Sequence, residues 1–309
     1  MVRVSLFVMR INPPLSFKAI GILASFCAAL IIVCFGVIYA RTIHTTNYTV
    51  NIHKPWTEKT ARLVLVSDLH IGATVGTKWI GRVVDEINKA EPDIVCIAGD
   101  IFDGNLDAVR DSAGITGELR RIRSRLGVFA ALGNHDVDRG ALARAGRAGI
   151  DSLEQTAVGG IAAFLEEAGV ILLRDEVQEA APGFWVAGRK DLRPIGLRGQ
   201  SRMNAAALTA LRGEAAGFLA VIDHQPFEFR QVEAAGADLL LCGHTHKGQI
   251  FPGNLITRRI YQKAGATHYG YVRGSTLQAV VTSGAGVWGP PLRIATTSEI
   301  AVIDLQFQP

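Results

Sequence analysis

A chain of 309 residues has room for one large domain or two ordinary ones. Its formal net charge of +4 is modest, and its 32 lysines and arginines are spread along the sequence. That distribution lacks the basic stripe of a nucleic-acid binder, so no nucleic-acid partner is expected. Hydrophobic residues make up 49% and charged residues 19%, a globular composition with a membrane bias.

The bias has a visible source. Residues 19–40 read AIGILASFCAALIIVCFGVIYA and carry no charge. At about 1.5 Å per residue, a helix of this length crosses a bilayer core of roughly 30 Å. A secretory signal would have an apolar region of only about 7–15 residues, and a buried soluble helix would show a polar face. A single uncleaved anchor is therefore expected. Arg3, Arg10 and Lys18 precede it, whereas Arg41 and Lys54 follow it. By that margin of one residue the positive-inside rule favours a single pass with a cytoplasmic N-terminus and the following domain outside the cytoplasm. Residues 1–45 are read as tail and anchor, 46–309 as one domain, and residues 41–60 as a polar connector. Cys27 and Cys34 lie in the anchor, while Cys96 and Cys242 sit in apolar runs, which does not suggest a disulfide framework.

Leu63-Val-Leu-Val66 is the first strand signal, a continuous apolar run of the kind found in sheets covered on both faces. Thr77 to Ala90 follows, with Trp79, Ile80, Val83, Val84 and Ile87 on one helical face. Ile94 to Ala98 predicts a second buried strand, residues 105–125 a helix, and Val128 to Leu132 a third strand. Further on, Leu219 to Ile222 and Leu239 to Cys242 read as strands separated by a helix over 228–236. Residues 276–282 and 299–305 read as strands too, the last at the sheet margin. This alternation predicts a largely parallel sheet covered by helices.

Five polar blocks follow strand ends: Asp68-Leu-His70, Gly99-Asp100, Gly133-Asn-His-Asp136, His224 and Gly243-His-Thr-His246. Ligand sites of open α/β sheets lie outside the carboxyl ends of strands. The blocks supply carboxylate, amide and imidazole donors, a mixed set that suits Mn, Fe or Zn. Asp100, alone in its block, is the natural carboxylate to bridge two ions. Taken singly, Asn134-His135-Asp136 reads as turn chemistry or a helix cap, and His224 as an ordinary packed histidine. Five blocks in strand-end positions outweigh those readings. His44, His53 and His268 have no evident partners and read as surface residues.

Together the blocks resemble the calcineurin-like metallophosphoesterase superfamily over roughly residues 61–305. The runs GHTHKGQIFPGNLITRRIY (243–261) and SGAGVWGPPLR (283–293) are similar to membrane-associated bacterial phosphodiesterases of the YkuE/YaeI type. The resemblance implies an α/β fold, a four-layer α-β-β-α sandwich with one N-terminal transmembrane helix, whose catalytic domain is residues 46–309. It implies that Asp68, His70 and His246 hold one divalent ion, that Asn134, His224 and His244 hold another, and that Asp100 bridges them. Such a pair clamps a phosphoryl group and turns a bridging water into hydroxide near neutral pH. His135 would face the phosphoryl group and protonate or stabilise the leaving oxygen. Asp136 would accept a hydrogen bond from that ring and orient it.

Other residues carry less. Lys247, where close relatives have glycine, would reach a substrate phosphate or point to solvent. The Gly286–Pro291 loop with Arg293 is expected to be rigid and beside the site, with Trp288 packed rather than stacked on substrate. Arg189 is a weaker candidate for phosphate contact. Residues 137–160 depart from the family pattern and read as a surface extension, or as a lid, before a helix from about Ala157 to Ala168. The expected activity is two-metal hydrolysis of a phosphate ester, first of all a phosphodiester. One alternative is a pyrophosphatase of a lipid-linked nucleotide sugar of the UDP-diacylglucosamine type, which requires a cytoplasmic domain. A remoter one is a non-catalytic scaffold, against which no predicted ligand is missing.

Overall fold

A computed structural model describes residues 15–145, 150–195, 197, 201–214 and 217–308. Arg3, Arg10 and part of the 137–160 stretch (residues 146–149) lie outside the described residues. Helix α1 (Leu15–Ala40) is uninterrupted, and its segment Ser16–Ala40 is long and apolar enough to cross a membrane. Most of its side chains are exposed; Gly36 and Ala40, where it meets the domain, are buried.

Two six-stranded sheets follow. The first has the order β1-β12-β2-β3-β4-β5 and comprises β1 (Ile43–Ile52), β2 (Thr60–Val66), β3 (Ile94–Ala98), β4 (Val128–Ala131), β5 (Ile171–Leu172) and β12 (Ser298–Phe307). The second has the order β10-β11-β9-β8-β7-β6, from β6 (Glu176–Ala181), β7 (Phe184–Gly188), β8 (Phe218–Ile222), β9 (Leu239–Cys242), β10 (Gly270–Arg273) and β11 (Gln278–Val281). Strands β2 to β5 run parallel, as do β7, β8, β9 and β11, while β12–β2, β6–β7 and β10–β11 are antiparallel.

The continuous apolar runs now have a reason. Alternate residues of β2 face opposite ways: Leu63 and Leu65 enter the core between the sheets with Cys96, Phe129, Phe184, Phe218 and Leu241. Val64 and Val66 instead meet helices α2 (Thr77–Lys89), α3 (Ser112–Leu119) and α5 (Ile150–Glu167) through Ile80, Val84, Ile115 and Ile161. On the far side, Leu208 of α6 (Ala205–Ala210) and Val232 of α7 (Phe229–Ala234) cover Leu219, Val221 and Leu240. Each fully buried Val, Leu or Ile stabilises the fold by about 1.5–3 kcal/mol. The result is the four-layer α-β-β-α sandwich.

Three local expectations are corrected. The presumed connector holds β1, whose register with β12 runs from Ile43↔Ser298 to Ile52↔Phe307. A boundary after residue 45 therefore falls inside a strand. Thr, Tyr, Val and Ile suit a pleated surface, and Val50 and Ile52 reach the inter-sheet core. In consequence β12 lies one strand in from the margin. The helix expected over 105–125 shrinks to a single 3-10 turn at Leu106–Ala108 and α3, because the basic residues beyond Leu119 turn away to pair with acids elsewhere: Arg121 with Asp85, and Arg125 with Glu58 and Asp93. The described part of 137–160 forms α4 (Arg139–Ala145) and the start of α5, with Leu142, Leu153, Ala157 and Val158 against the core. Packed helix stands there in place of either a plain surface extension or a lid. A further helix unforeseen from sequence, α8 (Gly253–Lys263), follows the last metal-type block.

Candidate metal centre

The loops after β2 and β3 are laced together before any side chain is considered. Asp68, His70 and Ile71 donate backbone hydrogen bonds to Gly99, Asp100 and Ile101 at 2.9, 3.0 and 2.8 Å. Asp68, His70, Asp100, His244 and His246 all have positive φ, between 47° and 71°. A left-handed residue other than glycine costs on the order of 1–2 kcal/mol, and Asp and His tolerate it better than most. Such strain is typical of sites where geometry takes precedence over stability. Glycines make the close approach possible. A Cβ on Gly133 would stand 2.3 Å from the Asp100 backbone nitrogen, and one on Gly99 would stand 2.7 Å from His224 Nδ1.

Six of the seven candidate ligands fall into two groups. In the first, His246 Nε2 lies 3.4 Å from Asp68 Oδ1 and 3.1 Å from His70 Nε2. In the second, His224 Nε2 lies 3.1 Å from Asp100 Oδ2 and 3.3 Å from His244 Nδ1. The same Asp100 oxygen is 4.0 Å from His70 Nε2, so it stands between the groups. The seventh, Asn134, is buried, and its Oδ1 has no hydrogen-bond partner. A buried carbonyl oxygen without a donor, among clustered imidazole nitrogens and carboxylates, is what a cation would satisfy. The donor set therefore fits divalent metal.

Outer contacts orient these groups. His224 Nδ1 sits 2.7 Å from the Ala98 carbonyl, to which it donates, leaving Nε2 for the centre. The His244 amide donates to both oxygens of Asp68 at 3.1 Å, and Ser67 Oγ donates to Asp68 as well. Burial opposes ionisation of Asp100, but His224, His70 and His135 outweigh it and hold this carboxyl well below the usual range. His244 is pushed down to about 3, first by burial and then by His224.

His135 is close by, with its amide on Asp100 Oδ1 at 2.8 Å. The expected role of Asp136 is corrected: its carboxylate accepts from the amides of Gly133 (2.7 Å), Phe102 (2.7 Å) and Ile101 (3.1 Å), tying two site loops together. Burial and then Asp100 push Asp136 up to about 7 despite those amides. The carboxylate beside the His135 ring is Asp103, 3.5 Å from Nδ1 and 3.6 Å from His70 Nδ1. It is not among the residues expected from sequence. The available signal was a second aspartate three positions after Asp100 in the same loop.

Other candidates move. Arg189 is buried, with its guanidinium taken up by Asp223 (2.9 Å) and Glu228 (2.7 Å). Lys247 Nζ lies 3.8 Å from the Tyr269 ring centroid, a cation–π contact rather than a free cation. Trp288 is exposed rather than packed, with its ring centroid 6.4 Å from that of His135. Arg293 is almost wholly buried and donates to the carbonyls of Ser283, Gly284 and Gly286 at 2.7, 3.0 and 2.7 Å, which ties the start of the loop down. His44 and His53 are exposed, as expected, and His268 is half-buried.

Fold and centre together define a class: α-β-β-α sandwiches whose strand ends gather the donors of a metal centre. Residues 61–248 match the calcineurin-like phosphoesterase family, and the chain belongs to it. It is 29% identical over 249 residues to an uncharacterized metallophosphoesterase of Helicobacter pylori strain J99, covering 80% of this chain and 60% of that protein. It is 33% identical over 256 residues to a Danio rerio transmembrane protein with metallophosphoesterase domain, covering 79% and 53%. With the uncharacterized metallophosphoesterase YkuE of Bacillus subtilis it shares 26% identity over 300 residues, covering 93% and 95%. The chain thus spans about three fifths of the Helicobacter relative. Among solved structures, a dimetal phosphatase from Danio rerio is similar with a TM-score of 0.44 at 13% identity, over 76% of this chain and 90% of that one.

Proposed function

We propose that this chain is a membrane-anchored, two-metal phosphodiesterase. The observation that carries the reading is the convergence of Asp68, His70 and His246 with Asp100, His224 and His244, beside the unpartnered Asn134 oxygen. Asp68, His70 and His246 would hold one ion, Asn134, His224 and His244 the other, and Asp100 both. When bound, two divalent ions, whether Mn, Fe or Zn, supply charge neutralisation for a phosphoryl group and acidify water near neutral pH. His135, only partly exposed at the rim, faces the phosphoryl group and gives a proton to the leaving oxygen. Asp103 holds that ring in place from the Nδ1 side, and Asp136 keeps its loop seated. The length and apolarity of α1 support an anchor in a bacterial inner membrane, and the excess of Arg3, Arg10 and Lys18 before it over Arg41 and Lys54 after it supports a domain outside the cytoplasm.

The test is hydrolysis of bis(p-nitrophenyl) phosphate by the purified full chain in detergent with Mn²⁺. Asp100→Asn and Asn134→Ala are expected to abolish it with circular dichroism unchanged. Full activity in both variants would overturn the reading.

A second reading, a membrane-resident substrate such as a lipid-linked nucleotide sugar, is favoured by one observation. A cleft of about 430 Å³ opens between α1 and the domain, with Ile31, Phe35 and Tyr39 on one wall and Lys247 and Arg293 on the other. Lys247 adjoins the candidate ligand His246. Faster turnover of soluble diesters than of a UDP-diacylglucosamine-type lipid, both in the same vesicles, would count against it.

A further inference from the structure

Apolar side chains collect at one edge of the domain without a partner. Phe251, Leu255, Ile256, Ile260 and Trp288 are each more than half exposed. Three of them belong to α8, whose buried anchor point is Tyr261. On the face away from Tyr261, Leu255, Ile256 and Ile260 are interleaved with exposed Arg259 and Lys263, and α8 contains no acidic residue. Arg259 and Lys263 share this side with the apolar residues, and their long stems let the charged ends snorkel to head groups while the apolar side chains reach past them.

What lies next to this edge is visible. Phe251 donates to the Ile294 carbonyl at 3.0 Å, and Ile294 donates back to Gln249 at 3.1 Å. The neighbouring Arg293 amide donates to the carbonyl of Gly36, inside α1, at 3.0 Å. A Cβ on Gly36 would meet Leu292 Cδ1 at 2.4 Å, so loop and helix are in close contact. Gln249 also clamps Trp288, donating to its carbonyl at 2.8 Å and accepting from its amide at 2.9 Å. Gly36 lies four residues before the end of α1 at Ala40, which is about 6 Å along a helix axis. The Phe251 end of this edge is therefore joined, through Ile294 and Arg293, to the last turns of the span.

We propose that α8, with Phe251 and Trp288, is a second membrane contact: its apolar face rests in the interface of the bilayer that α1 crosses, with Arg259 and Lys263 on anionic lipid head groups. The placement rests on reading α1 as a membrane span. It turns the metal centre, which Trp288 borders through His135 and α8 follows in sequence, toward the lipid surface, so that the centre meets phosphoesters at head-group level. Anionic lipid attracts cations near the surface, which adds to apolar insertion.

The test uses the full chain in vesicles of phosphatidylcholine with roughly one quarter phosphatidylglycerol, with brominated acyl chains quenching tryptophan emission. Part of the emission is expected to be quenched, and Trp288→Phe is expected to remove that part. A Leu255→Glu, Ile260→Glu variant is expected to lose most of the Trp288 quenching while circular dichroism and retention on vesicles after alkaline carbonate stay unchanged. Unquenched Trp288 on a carbonate-resistant chain would overturn the proposal and leave the anchor standing. Release by carbonate would overturn the anchor and this placement with it. A crosslink between two Leu255→Cys chains in vesicles, absent from the parent, would assign the face to a second copy and also overturn it.

Discussion

Asp103 separates positioning from binding at the scale of single residues. Hydrogen bonding to His135 and then His70 holds its carboxyl well below the ordinary range, so it is charged wherever the enzyme would work. Asp103→Asn keeps the shape and removes that charge. We expect kcat on a soluble diester to fall by about 10–100-fold, the usual effect of losing an orienting partner, with metal content by elemental analysis near that of the parent. An unchanged kcat would mean that the ring is oriented without it. Arg293 works through structure instead. Burial pushes its guanidinium down to about 10, against the pull of Asp68 and Glu299, so it remains charged at neutral pH. Arg293→Met would strand the carbonyls of Ser283 and Gly286, while Gly284 keeps the Glu299 amide, at a cost of about 2 kcal/mol or more. A thermal midpoint within a degree or so of the parent would refute that.

Strand β1 shows how an element can hide in a polar stretch. Its residues are half threonine and asparagine, and only Val50 and Ile52 are core, so no apolar run announces it. What makes it a strand is the free edge of β12, some 250 positions away. A soluble chain begun at residue 53 should expose that long edge and aggregate. One begun at Thr42 should elute as a monomer on size exclusion with light scattering. Equal behaviour of the two would show β1 to be dispensable. Helix α8 hid for a related reason: its outward face mixes apolar and basic residues, which gives no clean amphipathic stripe.

The whole molecule stores cost at its centre that bound cations would relieve. Burial alone would push His224 down, but Asp100 and then Asp68 outweigh it and hold it above its ordinary value. In the metal-free chain this pairing stabilises the fold at low pH, and its contribution is lost as pH rises through the folded value of His224. A metal needs the neutral ring, so proton and cation compete. Loading with Mn²⁺ should release protons, and it should raise the thermal midpoint more at about pH 7.5 than at about pH 5.5. An equal rise at both would sink the idea that His224 is a ligand.

Much of this protein was legible locally. Buried strands announce themselves because both faces are covered, so Leu63–Val66 and Ile94–Ala98 are apolar throughout. The donor blocks are legible because coordination chemistry restricts residue types and strand ends restrict their place. Helix α1 is legible because a bilayer-crossing length of apolar residues is easily recognised along the chain. Partnership was not legible, because it depends on which segments meet. Asp136 adjoins His135 in the chain yet is bound to amides 34 and 35 positions back, while Asp103 comes in from another loop to meet the ring. Arg189 resembled a phosphate ligand until Asp223 and Glu228 enclosed it. Residue chemistry and local period could be read along one dimension; the pairing of charges, the edge that β1 covers and the face that α8 leaves bare were decided only by packing in three.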